Sequence, residues 1–287
     1  MKISKTERGQ KTLQSLERRL RVSNRSEQTI RNYVRSVKTL MDYHHQLPDD
    51  LDIDHIIDFL HDLQLEQERG WRTIKIYVAA FRWFYEHVLH AKEFAHLIPY
   101  PKEKPSLPRI LSRQELARLF DGCQNLKHRV MLRLLYSSGL RRNELLYLKI
   151  EEIITDDGKH RVRINKGKGG KGRYTVLSHR VLEELREYFK RYCPVKYLFN
   201  GREPCERMSA AGLRHALAAA TKRAAITNQV NLHILRYCFA SHALEEGMNI
   251  NTLQYLLGHS NVQTTMVYLH VSEVPLSKAF SPLDRWQ

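Results

Sequence analysis

A proline-rich segment about a third of the way along the chain constrains the fold more than any other feature. Residues 98–108 contain four prolines and three charged residues. Proline lacks a backbone N–H and disfavours helical geometry in the residue before it, so this composition resists both helix and sheet. We therefore expect an extended linker at 98–108, which separates a first domain at 1–97 from a second domain at 109–287.

The first domain is predicted to be helical, because apolar residues recur at helical spacing from about Thr12 to Leu97. Ser26 is placed to cap one helix, and residues 52–65 form a second amphipathic segment. A further helix is expected from about Arg72 to His87. Its apolar face is predicted at Ile76, Ala79, Ala80, Trp83 and Phe84, with Phe81 on a flank.

The second domain is predicted to be mixed but mostly helical. Ser112 and Glu115 have the spacing of a capping box at a helix start. Residues 159–177 alternate polar and apolar side chains around a Gly/Lys-rich turn, which indicates a β-hairpin. Helices are expected at 130–136, 181–192, 210–225 and 232–246. The expected fold class is therefore mainly α with a small β component.

The charge of the chain points to a polyanionic partner. The formal net charge is +16 at pH 7, and it is unevenly distributed. Residues 1–104 carry 18 Lys/Arg against 15 Asp/Glu, whereas residues 105–287 carry 29 against 16. A basic second domain suits nucleic acid, although many soluble proteins are basic without binding it.

Cysteine usage and hydropathy exclude several other classes of protein. The four cysteines show no Cys-x-x-Cys spacing, so neither a zinc site nor a disulfide framework is indicated. No apolar run is long enough to span a membrane, and the N-terminus does not resemble a signal peptide. We expect a cytoplasmic protein with reduced thiols, no membrane partner, no metal and no cofactor.

Two segments of the second domain carry groups suited to phosphate chemistry. Arg141 follows a glycine near a helix start, where its guanidinium can face phosphate oxygens while Glu144 orients it. The alternative is an ordinary surface Arg–Glu pair. The turn at 166–173 is rich in glycine and lysine, so it can follow a DNA groove and place Lys168 as a proton donor. The alternative is a solvated loop, and the spacing is not that of a nucleotide-binding P-loop.

A third segment adds two imidazoles, a guanidinium and a phenol. His233 and Arg236 are three residues apart, so a helix would present both on one face. His259 and Tyr268 follow. The ordinary alternatives are a helix cap for His233, a turn for His259 and half-buried packing for Tyr268.

The chain around Tyr268 is predicted to start a new helix. Gly258 is placed to end the preceding helix, and Ser260 with Gln263 has capping-box spacing. Tyr268 would then lie about two turns into the new helix.

Together and in this order, the segments resemble the tyrosine recombinase (phage integrase) family, which includes the Xer recombinases and Cre. The matching pieces are Gly-Leu-Arg-x-x-Glu-Leu at 139–145, Gly-Lys-Gly at 167–169, His-x-Leu-Arg at 233–236, Leu-Leu-Gly-His-Ser at 256–260 and Thr-Thr-x-x-Tyr-x-His at 264–270. Ser-x-x-Thr-Ile-x-x-Tyr at 26–33 and Thr-Ile-x-x-Tyr at 73–77 resemble the family's helical, SAM-like core-binding domain. The resemblance therefore covers nearly the whole chain.

The resemblance implies a role for each group. Tyr268 would attack a DNA phosphodiester to form a 3′-phosphotyrosyl link and free a 5′-hydroxyl. Arg141 and Arg236 would clamp the nonbridging oxygens. The remaining roles are proton donation to the leaving oxygen by Lys168, proton transfer at the nucleophile by His233 and a phosphate hydrogen bond from His259. Lys166 and Lys171 flank Lys168 in the same turn and are alternatives to it.

The implied partners are a double-stranded DNA recombination site and a homotetramer on two duplexes, in a bacterial nucleoid-associated protein. The two-domain organisation is similar to Xer proteins or to recombinases of mobile elements, and an accessory protein is possible but not identified by the sequence. Alternatives are a non-catalytic DNA-binding regulator of the same fold and a type IB topoisomerase-like activity. Apolar residues after Tyr268 are expected to dock on a neighbouring protomer: Val274, Leu276, Phe280, Leu283 and Trp286.

The sequence departs from the family pattern beside two of these groups. Arg142 stands where an aliphatic residue is usual, and Tyr237-Cys238 stands where His-Ser/Thr is common. The resemblance gives no role to either position.

Overall fold

The computed structural model describes residues 2–65, 70–102, 109–156, 158–165 and 172–269. The chain divides into two compact units, Met1–Pro105 and Ser106–Gln287. This division falls within the proline-rich segment, of which residues 103–108 lie outside the described residues. The exact domain bounds and the extended form of the linker therefore stay predictions.

The first unit is helical, as expected. Its helices are α1 (Glu7–Val22), α2 (Glu27–His44), α3 (Ile53–Leu65), α4 (Trp71–His87) and α5 (Lys92–Leu97). The cap at Ser26 is confirmed, since its hydroxyl accepts a hydrogen bond from the Thr29 amide at 3.1 Å. Buried side chains from these helices form one core.

The buried face of α4 is wider than predicted and is rotated. Ala80, Trp83 and Phe84 are buried as expected, but Ile76 is 41% exposed. Phe81, expected on a flank, is fully buried. Helix α4 packs against α2, α3 and α5, so it buries more than a single stripe. The additional buried residues are Ile74, Val78 and Tyr85.

The second unit is mixed, and the expected fold class is confirmed. Its helices are α6 (Arg113–Asp121), α7 (Leu126–Ser138), α8 (Arg142–Tyr147), α9 (His179–Tyr192), α10 (Ala210–Arg223), α11 (Leu232–Glu245), α12 (Ile250–Leu257) and α13 (Gln263–Met266). The predicted hairpin is β2 (Lys159–Ile164) with β3 (Arg173–Val176), paired antiparallel with Val162 opposite Thr175. A strand that the sequence did not predict, β1 (Ile153–Asp156), pairs with the outer edge of β2.

One of the two predicted capping boxes is present. The Ser112 hydroxyl accepts from the Glu115 amide at 3.1 Å, and the Glu115 carboxylate accepts from the Ser112 amide at 2.8 Å. The box predicted at Ser260 is wrong, because the Asn261 side chain accepts from the Gln263 amide instead, at 2.9 Å.

The position of Tyr268 relative to its helix also differs from the prediction. Helix α13 ends at Met266, so Tyr268 follows this helix and does not lie within it. The Tyr268 amide still donates to the Thr265 carbonyl at 3.0 Å, which continues the turn.

Gly139 and Gly258 each end a helix of the second unit in the left-handed conformation. Gly139 follows α7 with φ +60°, and Gly258 follows α12 with φ +63°, as the sequence predicted for Gly258. A Cβ atom at Gly139 would lie 2.4 Å from the Phe239 ring, and one at Gly258 would lie 2.7 Å from Cδ of Arg173. Only glycine fits either position.

Within the described residues, no helix combines the length and apolar character needed to cross a membrane. The same residues include no cluster of three or more His, Cys, Asp or Glu side chains that could hold a metal ion.

We expect Gly139→Ala to lower the free energy of unfolding by about 2–5 kcal/mol, because backbone strain adds to the clash with Phe239. Gly158→Ala is the matched control: Gly158 also has a positive φ, +74°, but a Cβ there meets nothing within 4 Å. It should cost only about 1–2 kcal/mol, the strain alone. Chemical denaturation measures both. Equal losses in the two variants would contradict a steric role for Gly139.

Candidate active site

A single buried carboxylate, that of Glu144, organises the predicted site. Arg173 donates to both of its oxygens, Nη1 to Oε1 and Nη2 to Oε2, each at 2.8 Å. Arg141 donates to Oε1 from Nη1 at 2.9 Å and to Oε2 from its own amide at 2.8 Å. Nη1 of Arg236 lies 3.9 Å from Oε2. Three guanidinium groups thus surround one carboxylate, which gives the cluster a formal net charge of +2.

The Glu144 side chain is only 6% exposed. Burial alone would raise its pKa, but hydrogen bonds and charge from Arg173, followed by the hydrogen bonds from Arg141, outweigh burial and lower the pKa to about 2. Glu144 is therefore ionised at neutral pH. The alternative interpretation of Arg141 and Glu144 as an ordinary surface pair is wrong.

The arginines are also held by carbonyl groups at the ends of helices. Arg236, on α11, is 1% exposed and donates to the Gly139 and Leu257 carbonyls, each at 2.6 Å. Arg141 donates to the Gly258 carbonyl at 3.2 Å. The last carbonyls of a helix have no partner within it, so these guanidinium groups satisfy acceptors that would otherwise be unpaired.

Arg236 is charged despite its burial. Burial, and secondly the nearby charge of Arg141, lowers its pKa to about 10, which still leaves it protonated at neutral pH. A buried guanidinium with this many aligned acceptors is suited to a fixed position beside an anion.

His259 is held as a neutral imidazole. Its Nε2 lies 3.0 Å from Nη2 of Arg236, and its Nδ1 lies 2.9 Å from the Thr265 hydroxyl oxygen. Because a guanidinium only donates, Nε2 accepts, and the ring proton sits on Nδ1 and is donated to Thr265. Burial, then the charges of Arg236 and Arg141, lowers the pKa of His259 to about 4.

Tyr268 lies beside this cluster and is 3% exposed. Its ring is nearly parallel to that of His259, at 6.1 Å between centroids. Burial raises the pKa of the Tyr268 phenol, while the charge of Arg236 and a hydrogen bond with that residue act in the opposite direction. The phenol is thus protonated at neutral pH and adjacent to a fixed cation.

His233 lies one helical turn before Tyr237 on α11, and their rings meet edge to face at 4.7 Å. Desolvation and the charges of Arg236 and Arg141 lower the pKa of His233. The alternative interpretation of His233 as a helix cap is wrong, since Asn231 caps α11 and its side chain accepts from the His233 amide at 2.9 Å.

The structure brings five of the six predicted residues together: Arg141, His233, Arg236, His259 and Tyr268. Lys168 belongs to the segment 166–171, which lies outside the described residues, so its place in the site stays a prediction. The expected docking of the chain after Tyr268 also falls outside them from residue 270 onward.

Three residues that contact the site had not been predicted, namely Arg173, Thr265 and Tyr237. Arg173 and Thr175 alternate with exposed residues along β3, so the period of two could have placed Arg173 on the inner face. Thr265 is buried and orients His259. Tyr237, to which the resemblance gives no role, contacts Tyr268 at 5.5 Å between ring centroids.

Glu144→Gln should destabilise the second unit by about 3–5 kcal/mol, because it leaves two buried arginines without their counter-charge. Glu151→Gln is the control within the same unit, since Glu151 pairs with Lys149 at 3.4 Å on the surface. It should cost at most about 1 kcal/mol. Denaturation at neutral pH measures both losses. A small loss in Glu144→Gln would contradict the central role of this carboxylate.

The depressed pKa of His259 predicts a pH dependence of stability. Between about pH 6.5 and pH 4 the unfolded chain binds a proton at this position and the folded chain does not, so acidification favours unfolding. We expect His259→Gln to flatten this part of the profile of unfolding free energy against pH. His215→Gln, at an exposed histidine, should leave the profile unchanged. Superimposable profiles for wild type and His259→Gln would contradict the assignment.

Two family models match the chain. Residues 109–274 match the phage integrase family, and residues 12–92 match the N-terminal SAM-like domain of phage integrases. These matches cover the two units described above.

Relatives and solved structures agree with the family models. The putative integrase/recombinase y4qK of Sinorhizobium fredii is 33% identical over 266 residues, 92% of this chain and 86% of that protein. The tyrosine recombinase XerC of Bacillus subtilis is 31% identical over 229 residues, 73% of each chain.

Two solved structures of protein–DNA complexes have a similar fold. A lambda integrase dimer bound to a COC′ core site aligns with a TM-score of 0.73 and 16% identity, covering 90% of this chain and 94% of that one. XerH in a post-cleavage complex with palindromic difH aligns with a TM-score of 0.71 and 21% identity, covering 91% and 82%. At these identities the likeness is one of fold. The family model spans more than half of the sequence and the relatives exceed 30% identity, so the chain belongs to the phage integrase family, the tyrosine recombinases.

Proposed function

We propose that this protein is a site-specific DNA recombinase that cleaves and rejoins DNA through a 3′-phosphotyrosyl intermediate. The observation that carries the proposal is the cluster of three guanidinium groups around Glu144, directly beside the buried phenol of Tyr268. Among the described residues of the site, Glu144 is the only acidic one, and a net positive site of this kind suits a phosphate diester. Relatives named recombinase, and neighbours in fold that are bound to recombination sites, support the same function.

In the proposed first step, the Tyr268 oxygen attacks the scissile phosphorus and the bond from phosphorus to the 5′-oxygen breaks. Arg141, whose side chain is 25% exposed, faces the DNA most directly and binds a nonbridging oxygen. Arg236 contributes from its buried position. Both stabilise the charge that develops on the phosphate, and neither has to move a proton to do so.

Two protons move in this step. The phenol loses one, and we assign its transfer to His233, whose lowered pKa keeps the ring able to accept a proton at neutral pH. The leaving 5′-oxygen gains one, and we assign its donation to Lys168. A 5′-hydroxyl is released, and the phosphate stays bound to Tyr268.

His259 acts through Arg236 in the arrangement described above. Both of its ring nitrogens are engaged, one with Arg236 and one with Thr265, so it can donate to the phosphate only by giving up one of them. We therefore propose that His259 mainly orients Arg236, and that a direct hydrogen bond to phosphate forms after a rearrangement.

The reverse step completes recombination. A 5′-hydroxyl from a second duplex attacks the phosphotyrosyl bond and releases Tyr268, so the bond energy is conserved and no nucleotide cofactor is consumed. Two duplexes with two exchanging strands each call for four protomers, which we propose form a cyclic homotetramer. A protein that acts on chromosomal or mobile-element DNA would associate with the bacterial nucleoid.

The test begins with the DNA itself. DNA that becomes covalently bound to the wild-type protein in cells is recovered and sequenced, with Tyr268→Phe as the background. A nicked substrate of that sequence then traps the intermediate, because the fragment carrying the 5′-hydroxyl diffuses away. We expect a covalent adduct with wild type, an undiminished adduct with Tyr255→Phe at an exposed tyrosine, and none with Tyr268→Phe.

Two other outcomes would replace the proposal. Tight DNA binding without an adduct from the wild-type protein would indicate a non-catalytic regulator. An adduct followed by relaxation of supercoils, with no exchange between two duplexes, would indicate a topoisomerase-like activity.

A further inference from the structure

We propose that Tyr237 is a positioning residue that holds the ring of Tyr268 in line for attack, an inference that rests on the function proposed above. Tyr237 occupies the position after Arg236 where the family commonly has histidine. A tyrosine at this position is therefore a feature of this chain and not a common feature of the family. The ring of Tyr237 contacts the ring of Tyr268, the residue proposed to act as the nucleophile.

The geometry brings three aromatic rings together. Helix α11 presents His233 and Tyr237 one turn apart, with their rings 4.7 Å apart at 73°. The Tyr237 ring in turn meets the Tyr268 ring at 5.5 Å and 56°. Tilted and edge-to-face pairs at these separations are favourable arrangements of aromatic rings. Tyr237 therefore links the proposed proton acceptor to the proposed nucleophile.

The backbone around Tyr268 leaves the ring dependent on such contacts. Helix α13 has only four residues and ends two residues before Tyr268. Among the described residues, the local backbone hydrogen bonds run from the Tyr268 amide to the Thr265 carbonyl and from the Leu269 amide to the Met266 carbonyl. The direction of the side chain also depends on its neighbours, which include Tyr237, His259 and Arg236.

These neighbours restrain different parts of the Tyr268 side chain. The charge of Arg236 acts on the phenol, whereas the rings of Tyr237 and His259 lie beside the Tyr268 ring. His259 is itself fixed by Arg236 and Thr265. Tyr237 belongs to the well-packed helix α11, so it couples the ring to the core of the second unit and not only to the arginine cluster.

The test compares Tyr237→Leu, which removes the ring, with Tyr237→Phe, which removes only the hydroxyl group. In single-turnover cleavage of the nicked substrate, Tyr237→Leu should lower the rate of adduct formation about 10- to 100-fold, with DNA affinity changed less than about twofold. Tyr237→Phe should stay within about threefold of wild type, since ring contacts do not need the hydroxyl. Phe189→Leu, at an exposed ring on α9, is the control and should be unchanged.

A sulfur leaving group separates positioning of the nucleophile from protonation of the leaving oxygen. With sulfur in place of the bridging 5′-oxygen, the leaving thiolate needs no proton. The defect of Tyr237→Leu should persist on this substrate, because attack by Tyr268 is still required. Restoration of the wild-type rate by sulfur would overturn the inference.

A chemical readout that does not depend on DNA cleavage completes the test. Nitration of Tyr268 by tetranitromethane, read by peptide mass spectrometry, should be several-fold faster in Tyr237→Leu than in wild type or Tyr237→Phe, because the ring loses part of its cover. If Tyr237→Leu does not fold, Tyr237→His, which has a smaller ring, should show the same slower cleavage and faster nitration, with a smaller magnitude of each.

The outcomes distinguish the two proposals. Wild-type adduct formation together with unchanged cleavage and nitration in Tyr237→Leu would overturn the role of Tyr237 alone. Absence of an adduct from the wild-type protein would overturn the proposed function, and the positioning role in catalysis with it, whatever the nitration rates show.

Discussion

The arrangement of the second unit depends on the burial of one carboxylate among three guanidinium groups. Glu144 fixes Arg141 and Arg173 directly and lies within 3.9 Å of Arg236. Charges taken out of water are costly unless each finds partners, and a cluster that retains a net positive charge does not balance itself. Such a cluster is better explained by an anion that completes it than by stability alone.

The carboxylate and the imidazole that contact the arginines both have lowered pKa values. The carboxylate of Glu144 stays ionised because its pKa is near 2, and His259 stays neutral because its pKa is near 4. The positive charge near neutral pH is thus carried by guanidinium groups, whose protonation does not change there. The positive charge of the site is therefore insensitive to pH in this range.

Much of the fold and of the candidate site could be predicted from the sequence, because local sequence signals determine these parts. Helical periodicity, the caps at Ser26 and Ser112 and the alternation in the hairpin each predict a local structure that tertiary contacts then preserve. The spacing of His233 and Arg236, together with the resemblance, identified five residues that the structure brings together. Their proposed catalytic roles await experiment.

The features that could not be predicted from the sequence depend on contacts between segments that are far apart in the chain. Arg173 lies at the end of a Gly/Lys-rich turn, and only its pairing with Glu144, 29 residues away, makes it part of the site. The choice of which face of α4 is buried depends on the helices that pack against it. Strand β1 forms by pairing with the edge of β2 that β3 leaves open. No sequence signal indicated a role for Tyr237, because its contact with Tyr268 joins helix α11 to the turn that follows α13.

Main-chain carbonyls of Gly139, Leu257 and Gly258 accept hydrogen bonds from Arg236 and Arg141, so the path of the backbone sets part of the alignment. Main-chain acceptors are unaffected by most substitutions, since they persist as long as the helices end where they do. Side chains on outer surfaces such as the exposed face of α10 can therefore diverge while the arginines stay in register. The chain thus separates the backbone path that aligns the arginines from the outer surfaces that are free to change.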